Sequence, residues 1–114
     1  MDADRHEEVI DAVHNDHARE ILVRASEEPV SASRLIEEMN ASKPTVYRQL
    51  DDLKDLGLVR SHKKPDPDGH HRDVYVTAVE EVRIRIESGE YSVDVEKRPT
   101  DAVDRFTELV EDLS

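Results

Sequence analysis

The chain has 114 residues, enough for one domain with one modest core, and none of them is cysteine. Disulfides, thiolate metal sites and cysteine nucleophiles are therefore excluded. The net charge is −12, with 39% charged and only 4% aromatic residues, so the core has to be built from Leu, Val, Ile and Ala rather than from rings.

Asp and Glu each occur 14 times, Arg 11 times and Lys only 5. That balance suits either a disordered acidic chain or a folded protein of a salt-rich cytoplasm, where an acidic surface holds water and cations. The apolar periodicity along the chain favours the folded protein. No apolar run approaches the ~20 residues needed to span a bilayer. The acidic start does not read as a signal peptide, so a cytoplasmic protein with no membrane partner is expected.

Residues 1–5 are polar and expected to fray. From Glu7 to about Asn15, Val9, Ile10 and Val13 share a helical face. Asp16 is placed to cap a second helix, which runs to about Ala25 with Ala18, Ile21, Leu22 and Ala25 at helical spacing. Glu28-Pro29 ends it, because the residue before proline avoids the α region. Ser31 then caps a short helix, Ala32 to Met39, whose inner face is Leu35, Ile36 and Met39. Asn40 suits the left-handed conformation that closes a helix. Ser42 caps the next helix, with Pro44 tolerated in its first turn and Val46, Leu50 and Leu53 forming one inward stripe. Gly57 stops it.

The segment RSHKKPDPDGHHRDVYVTA follows. Its Pro65-to-Gly69 run is a turn, and Leu58–His62 with Arg72–Thr77 read as the strands of a hairpin. A second hairpin is expected from the alternation of Val82, Ile84 and Ile86, the turn at Glu87-Ser88-Gly89-Glu90, and the alternation of Tyr91, Val93 and Val95. After Pro99, a last helix spans about Thr100 to Leu113, with Val103, Phe106, Val110 and Leu113 along one face.

Two short helices joined by a tight Asn40-Ala41 break, with a basic turn-rich hairpin after them, have the pattern of a helix-turn-helix with a wing, a device that reads duplex DNA. Setting Val46, Leu50 and Leu53 inward leaves Pro44, Thr45 and Arg48 outward near the helix N-terminus, the end that enters the major groove. Ser42 and Lys43 sit at the same end, where backbone amides favour phosphate. The Arg48 fork matches O6 and N7 of guanine, and Thr45 offers a methyl or a hydroxyl. Tyr47 stands between the two faces, open to core or phosphate contact. In the wing, Lys63, Lys64, His70, His71 and Arg72 flank the turn. From Ser42 to Arg72, seven Lys and Arg face five acids, so the rest of the chain carries −14. That asymmetry is the electrostatic footprint of a DNA face.

Residues 31–39, the turn, Ser42-Lys43-Pro44-Thr45-Val46-Tyr47-Arg48-Gln49-Leu50 and Leu56-Gly57-Leu58-Val59 together resemble the winged helix-turn-helix transcription regulators, above all the ArsR-like group common in haloarchaea. The resemblance covers about residues 16–77. It implies an α+β fold, double-stranded DNA as partner, and a homodimer that regulates transcription. Residues 1–80 are then the DNA-binding region. Residues 81–114, with Val103, Phe106, Val110 and Leu113 as an apolar stripe, are expected to be the dimerisation element; the strands from Val82 to Val95 depart from the all-helical C-terminus of the ArsR-like pattern, and the first helix is another candidate. Metal sensors occur in the family, but their cysteine motif is absent here.

His14 and His17, at i and i+3, and His70-His71 with Asp73 are the histidine sets a metal would need; exposed polar residues are the simpler reading, and no metal or cofactor is expected. There is no Gly-rich phosphate loop, carboxylate pair or nucleophile elbow, so no enzyme is expected. Two other functions stay in play: a winged-helix protein-interaction module of the transcription machinery without sequence readout, and a histidine-based metal-responsive repressor. Salt cations at the DNA interface are expected to help acidic groups tolerate phosphate.

Overall fold

The computed structural model describes residues 3–65, 67–69 and 71–99, and of Ala3, Asp4 and His71 the backbone alone. The expected last helix, with Val103, Phe106, Val110 and Leu113, lies outside the described residues, as does His70 in the wing. The elements in chain order are α1 (Ala3–His14), α2 (Asp16–Glu27), β1 (Val30–Ser31), α3 (Ala32–Met39), α4 (Lys43–Asp55), β2 (Val59–Pro65), β3 (His71–Thr77), β4 (Val79–Glu87) and β5 (Glu90–Lys97). This is a mixed α+β winged helix-turn-helix, as expected, with a second hairpin after the wing.

Each helix end has a local cause. Asn15, not Asp16, caps α2: its backbone is extended and its side chain accepts a hydrogen bond from the Ala18 amide at 3.0 Å. An acceptor three residues ahead of an orphan amide is the geometry a cap needs, and Asn15 meets it one residue before Asp16. Ser31 caps α3 in the same way, accepting from the Arg34 amide at 3.2 Å. Asn40 closes α3 in the left-handed conformation, φ 51° and ψ 43°. Gly57, at φ 75°, ends α4. The Leu58 amide bonds the Leu53 carbonyl at 2.9 Å, and the Gly57 amide bonds that of Lys54 at 3.0 Å. Those two bonds make a Schellman close, which needs the left-handed residue that glycine supplies without strain.

Helix α1 begins at Ala3, earlier than its apolar periodicity requires. Arg5 fastens this turn to the end of α4, donating to the Asp55 carbonyl at 3.0 Å and pairing with its carboxylate at 3.5 Å. The core is aliphatic. Val9, Ile21, Leu35, Val46, Leu50, Leu53 and Leu58 are fully buried, and burial of each large side chain contributes roughly 1.5–3 kcal/mol. Ile36, expected inside α3, is only half-buried and packs at the edge; Ala32 takes its place. Arg24 and Arg34 tie α2 to α3: Arg24 holds Glu38 at 2.6 Å, and Arg34 holds Glu28 at 2.6 Å and Glu38 at 2.9 Å. The hydrogen bond from Arg34 lowers the Glu38 carboxyl below its ordinary pKa, and the nearby arginine charges add to this.

The two-residue strand β1 has no signal in the sequence. It pairs antiparallel with β3, Val30 opposite Tyr75, and gives a sheet ordered β1-β3-β2. Strands β2 and β3 form the wing, running past the expected ends to Pro65 and His71. The Ala78 amide bonds the Leu58 carbonyl at 2.9 Å, and the chain goes straight into the second hairpin. That hairpin turns on Ser88 and Gly89, both at positive φ (52° and 80°), the conformation of a two-residue type I′ turn.

Candidate nucleic-acid interface

Helix α4 presents its first two turns to solvent. Ser42 has the extended backbone of an N-cap, accepts from the Thr45 amide at 3.3 Å, and donates its hydroxyl to Thr45 Oγ1 at 2.8 Å. The cap thereby fixes the Thr45 side chain and leaves the Thr45 hydroxyl proton available as a donor. Ser42, Lys43, Pro44 and Arg48 are exposed, Thr45 is half-buried, and Val46, Gln49 and Leu50 point inward. Tyr47 is 40% exposed, with Lys43 Nζ 6.0 Å from its ring centre. It belongs to the outer surface of the helix rather than to the core. Lys43, four residues away on the same helix, stands at the outer limit of the range in which a cation is attracted to a ring face.

The wing brings a second line of cations alongside. Lys64 stands opposite Arg72 and Lys63 opposite Asp73. Lys63 is not free: its ammonium pairs with Asp73 at 2.8 Å. Lys64 is half-buried, Arg72 is exposed, and the turn passes through Gly69 at φ 86°.

Between helix and wing lies Tyr75, which the strand alternation marks only as the residue between Val74 and Val76. It packs against the core edge from β3. Burial raises its phenol pKa above the ordinary value, with Asp73, Tyr47 and Asp51 adding to the shift. Tyr75 therefore stays a neutral hydroxyl, able to donate, in the angle between α4 and the wing. The sequence carries part of this: alternation places Tyr75 on the opposite face from Val74, with Thr77, whose hydroxyl donates to the Leu22 carbonyl of α2 at 2.6 Å.

The three acids of α4 diverge. Asp52 and Asp55 line a cleft with Glu8, Asp11 and Asn15 on the α1 side, and Asp55 is engaged by Arg5. Asp51 stays on the side of Tyr75 and the wing. It is the one acid of this helix on that side.

Pairing separates the cations of the molecule. Among the described residues, Arg5, Arg19, Arg24, Arg34, Arg83 and Arg85 are each paired with a carboxylate. Lys43, Arg48 and Lys64 are not. In a chain where acids outnumber bases 28 to 16, these three are left without a carboxylate on α4 and the wing, as Lys54, Lys97 and Arg98 are elsewhere.

Residues 15–62 match the family model of a helix-turn-helix domain. The match spans α2 through most of β2 and contains the whole α3-turn-α4 unit, so it supports a helix-turn-helix regulator. No curated protein matches the chain.

The histidines are dispersed. His14 ends α1 and His17 lies in the first turn of α2, with the cap Asn15 between them, so they are not two positions of one helix face. The bend required by the cap removes the i, i+3 geometry. No group of three His, Asp or Glu side chains that could hold a metal occurs among the described residues. No described helix is long and apolar enough to cross a membrane.

Proposed function

We propose that this chain is a sequence-specific, double-stranded DNA-binding transcription regulator of ArsR-like type, acting as a homodimer in a salt-rich cytoplasm. One observation carries the reading: the exposed start of α4 holds Lys43 and Arg48 without carboxylate partners, and Lys64 in the wing has none either. Arg48 reads a base edge, Thr45 and Ser42 add polar contacts, and Lys43 with Tyr47 meets the backbone. Pro44 keeps the first turn helical and close to the groove. Lys64, Arg72 and the wing histidines His70 and His71 follow the phosphates; Lys63 joins them once it leaves Asp73. Residues 1–80 form the reading unit. The hairpin β4–β5 and the segment carrying Val103, Phe106, Val110 and Leu113 pair the subunits, which sets two helices for two half-sites.

Asp51 lies close enough to the reading surface to repel phosphate, and salt cations offset that repulsion. Gel shift on genomic fragments, across a series of potassium chloride concentrations and with Arg48→Ala as control, tests the assignment. Binding by the wild type should weaken roughly ten- to a hundredfold in Arg48→Ala, the value of one bidentate base contact. Its decline with salt should be shallower than the cation count alone dictates. Equal binding by wild type and variant overturns base readout, and a steep conventional decline overturns the role of cations. A winged-helix module for protein contacts alone is the second reading, favoured by the exposed apolar hairpin. Failure of both proteins to bind any fragment selects it.

A further inference from the structure

The unpaired cations of the described residues fall in two places. Lys43, Arg48 and Lys64 belong to the surface of α4 and the wing. The other three, Lys54 of α4 and the consecutive Lys97 and Arg98, come from two distant parts of the chain and meet at one cleft. The cleft, of about 360 Å³, lies between the last turn of α4, the first residues of β2 and the end of β5. Arg60 and His62 of β2 also line it, and none of its described lining residues is an acid. Acids make up 28 of 114 residues, so a cleft lined by four Lys and Arg and no described acid departs sharply from the surface around it.

Two observations distinguish this cleft from a chance gathering of loose side chains. Lys97 lies directly over Gly57, where any Cβ would collide with its ammonium. Second, the Nε2 atom of His62 is buried and has no hydrogen-bond partner. Buried polar atoms are nearly always satisfied because an unmade bond is costly, so His62, a residue of the cleft wall, is left with an unmet hydrogen-bonding group. The cleft is separate from the reading end of α4: Lys54 stands 11 residues from Lys43, roughly 16 Å along the helix.

We propose that this cleft binds a small multivalent oxyanion of the phosphate class, held by Lys54, Lys97 and Arg98 with His62 at its wall. Ammonium and guanidinium donors converging from separate segments suit a compact anion with several acceptor oxygens. Such a ligand joins α4 to the root of the wing and to the second hairpin.

Inorganic phosphate titrated into the full chain, with ionic strength held constant by potassium chloride, tests the site by amide chemical shifts. The expected result is saturable binding that moves Gly57, His62 and Lys97. The double variant Lys54→Gln/Lys97→Gln should bind roughly tenfold or more weakly, the loss expected from removing charge-assisted hydrogen bonds. Arg48→Ala should bind phosphate as the wild type does. Circular dichroism establishes that the double variant is folded, and Lys97→Arg, which keeps the charge, should retain binding. Lack of saturation, equal binding by the double variant, or the same shifts with chloride alone would each overturn the proposal. So would displacement of phosphate by duplex DNA, which would make the cleft part of the DNA surface.

Discussion

The molecule contains two hairpins in succession, and they are built for different neighbours. The wing, β2–β3, has its root in the sheet and leaves Lys64 unpaired. In the hairpin β4–β5 both arginines are satisfied: Arg83 bonds Glu96 at 3.1 Å and pairs with Glu81 at 3.3 Å, and Arg85 reaches Glu87 at 3.7 Å. Its opposite face carries three apolar cross-strand pairs. Val82 faces Val95, Ile84 faces Val93, and Ile86 faces Tyr91. Only the inner part of that stripe meets the core; Ile84, Ile86 and Tyr91 stay 52%, 82% and 53% exposed. One hairpin thus leaves Lys64 without a carboxylate, while the other pairs both of its arginines and exposes hydrocarbon. The first suits a polyanion, and the second suits another apolar surface.

The largest effect that would break this comparison concerns the apolar end. If Ile86 and Tyr91 are covered by a second subunit, Ile86→Ser with Tyr91→Ser should weaken the dimer by roughly 2 to 4 kcal/mol, a tens- to hundreds-fold shift in its dissociation constant. Sedimentation equilibrium measures it, and an unchanged constant would remove the hairpin from the interface. The next effect is smaller and lies in the wing. Lys64→Gln should lower affinity for all DNA sequences alike, by about 1 kcal/mol, and reduce the salt slope by about one charge. If it changed preference between sequences instead, Lys64 would be touching bases.

The contrast is half legible in the sequence. Alternation locates both hairpins, and the Asn40 and Gly57 stops locate α3 and α4, because local backbone preferences decide those features. Exposure of Ile84 and Ile86 is not legible. Period-two alternation defines an inward face but not how far the core extends beneath it, and this hairpin runs beyond it. Strand β1 escapes a sequence reading because two residues cannot show alternation; pairing with β3 creates it. The cation groups are tertiary facts. Lys54, Lys97 and Arg98 meet only after α4, β2 and β5 are assembled, and no charge count along the chain separates them from Arg24 or Arg83, which find carboxylates.

The Lys63–Asp73 pair makes the smallest and most discriminating prediction. The wing register places Lys63 across from Asp73, and the two sit 2.8 Å apart with side chains 69% and 46% exposed. Exposed pairs of this kind contribute about 0–1 kcal/mol and are screened by salt, so the wing should fold without it. Asp73→Asn removes an acid from the DNA side and frees Lys63. If the wing lies along phosphates, DNA affinity should rise about two- to fivefold, equivalent to less than about 1 kcal/mol, while the melting temperature barely moves. The increase should shrink as potassium chloride is raised, because salt screens both the Asp73–phosphate repulsion and the attraction of Lys63 to phosphate. A loss of affinity would mean that Asp73 positions the wing rather than restrains its charge. No change at low salt would place Lys63 away from the DNA and leave Lys64 and Arg72 as the cations of this hairpin that meet it.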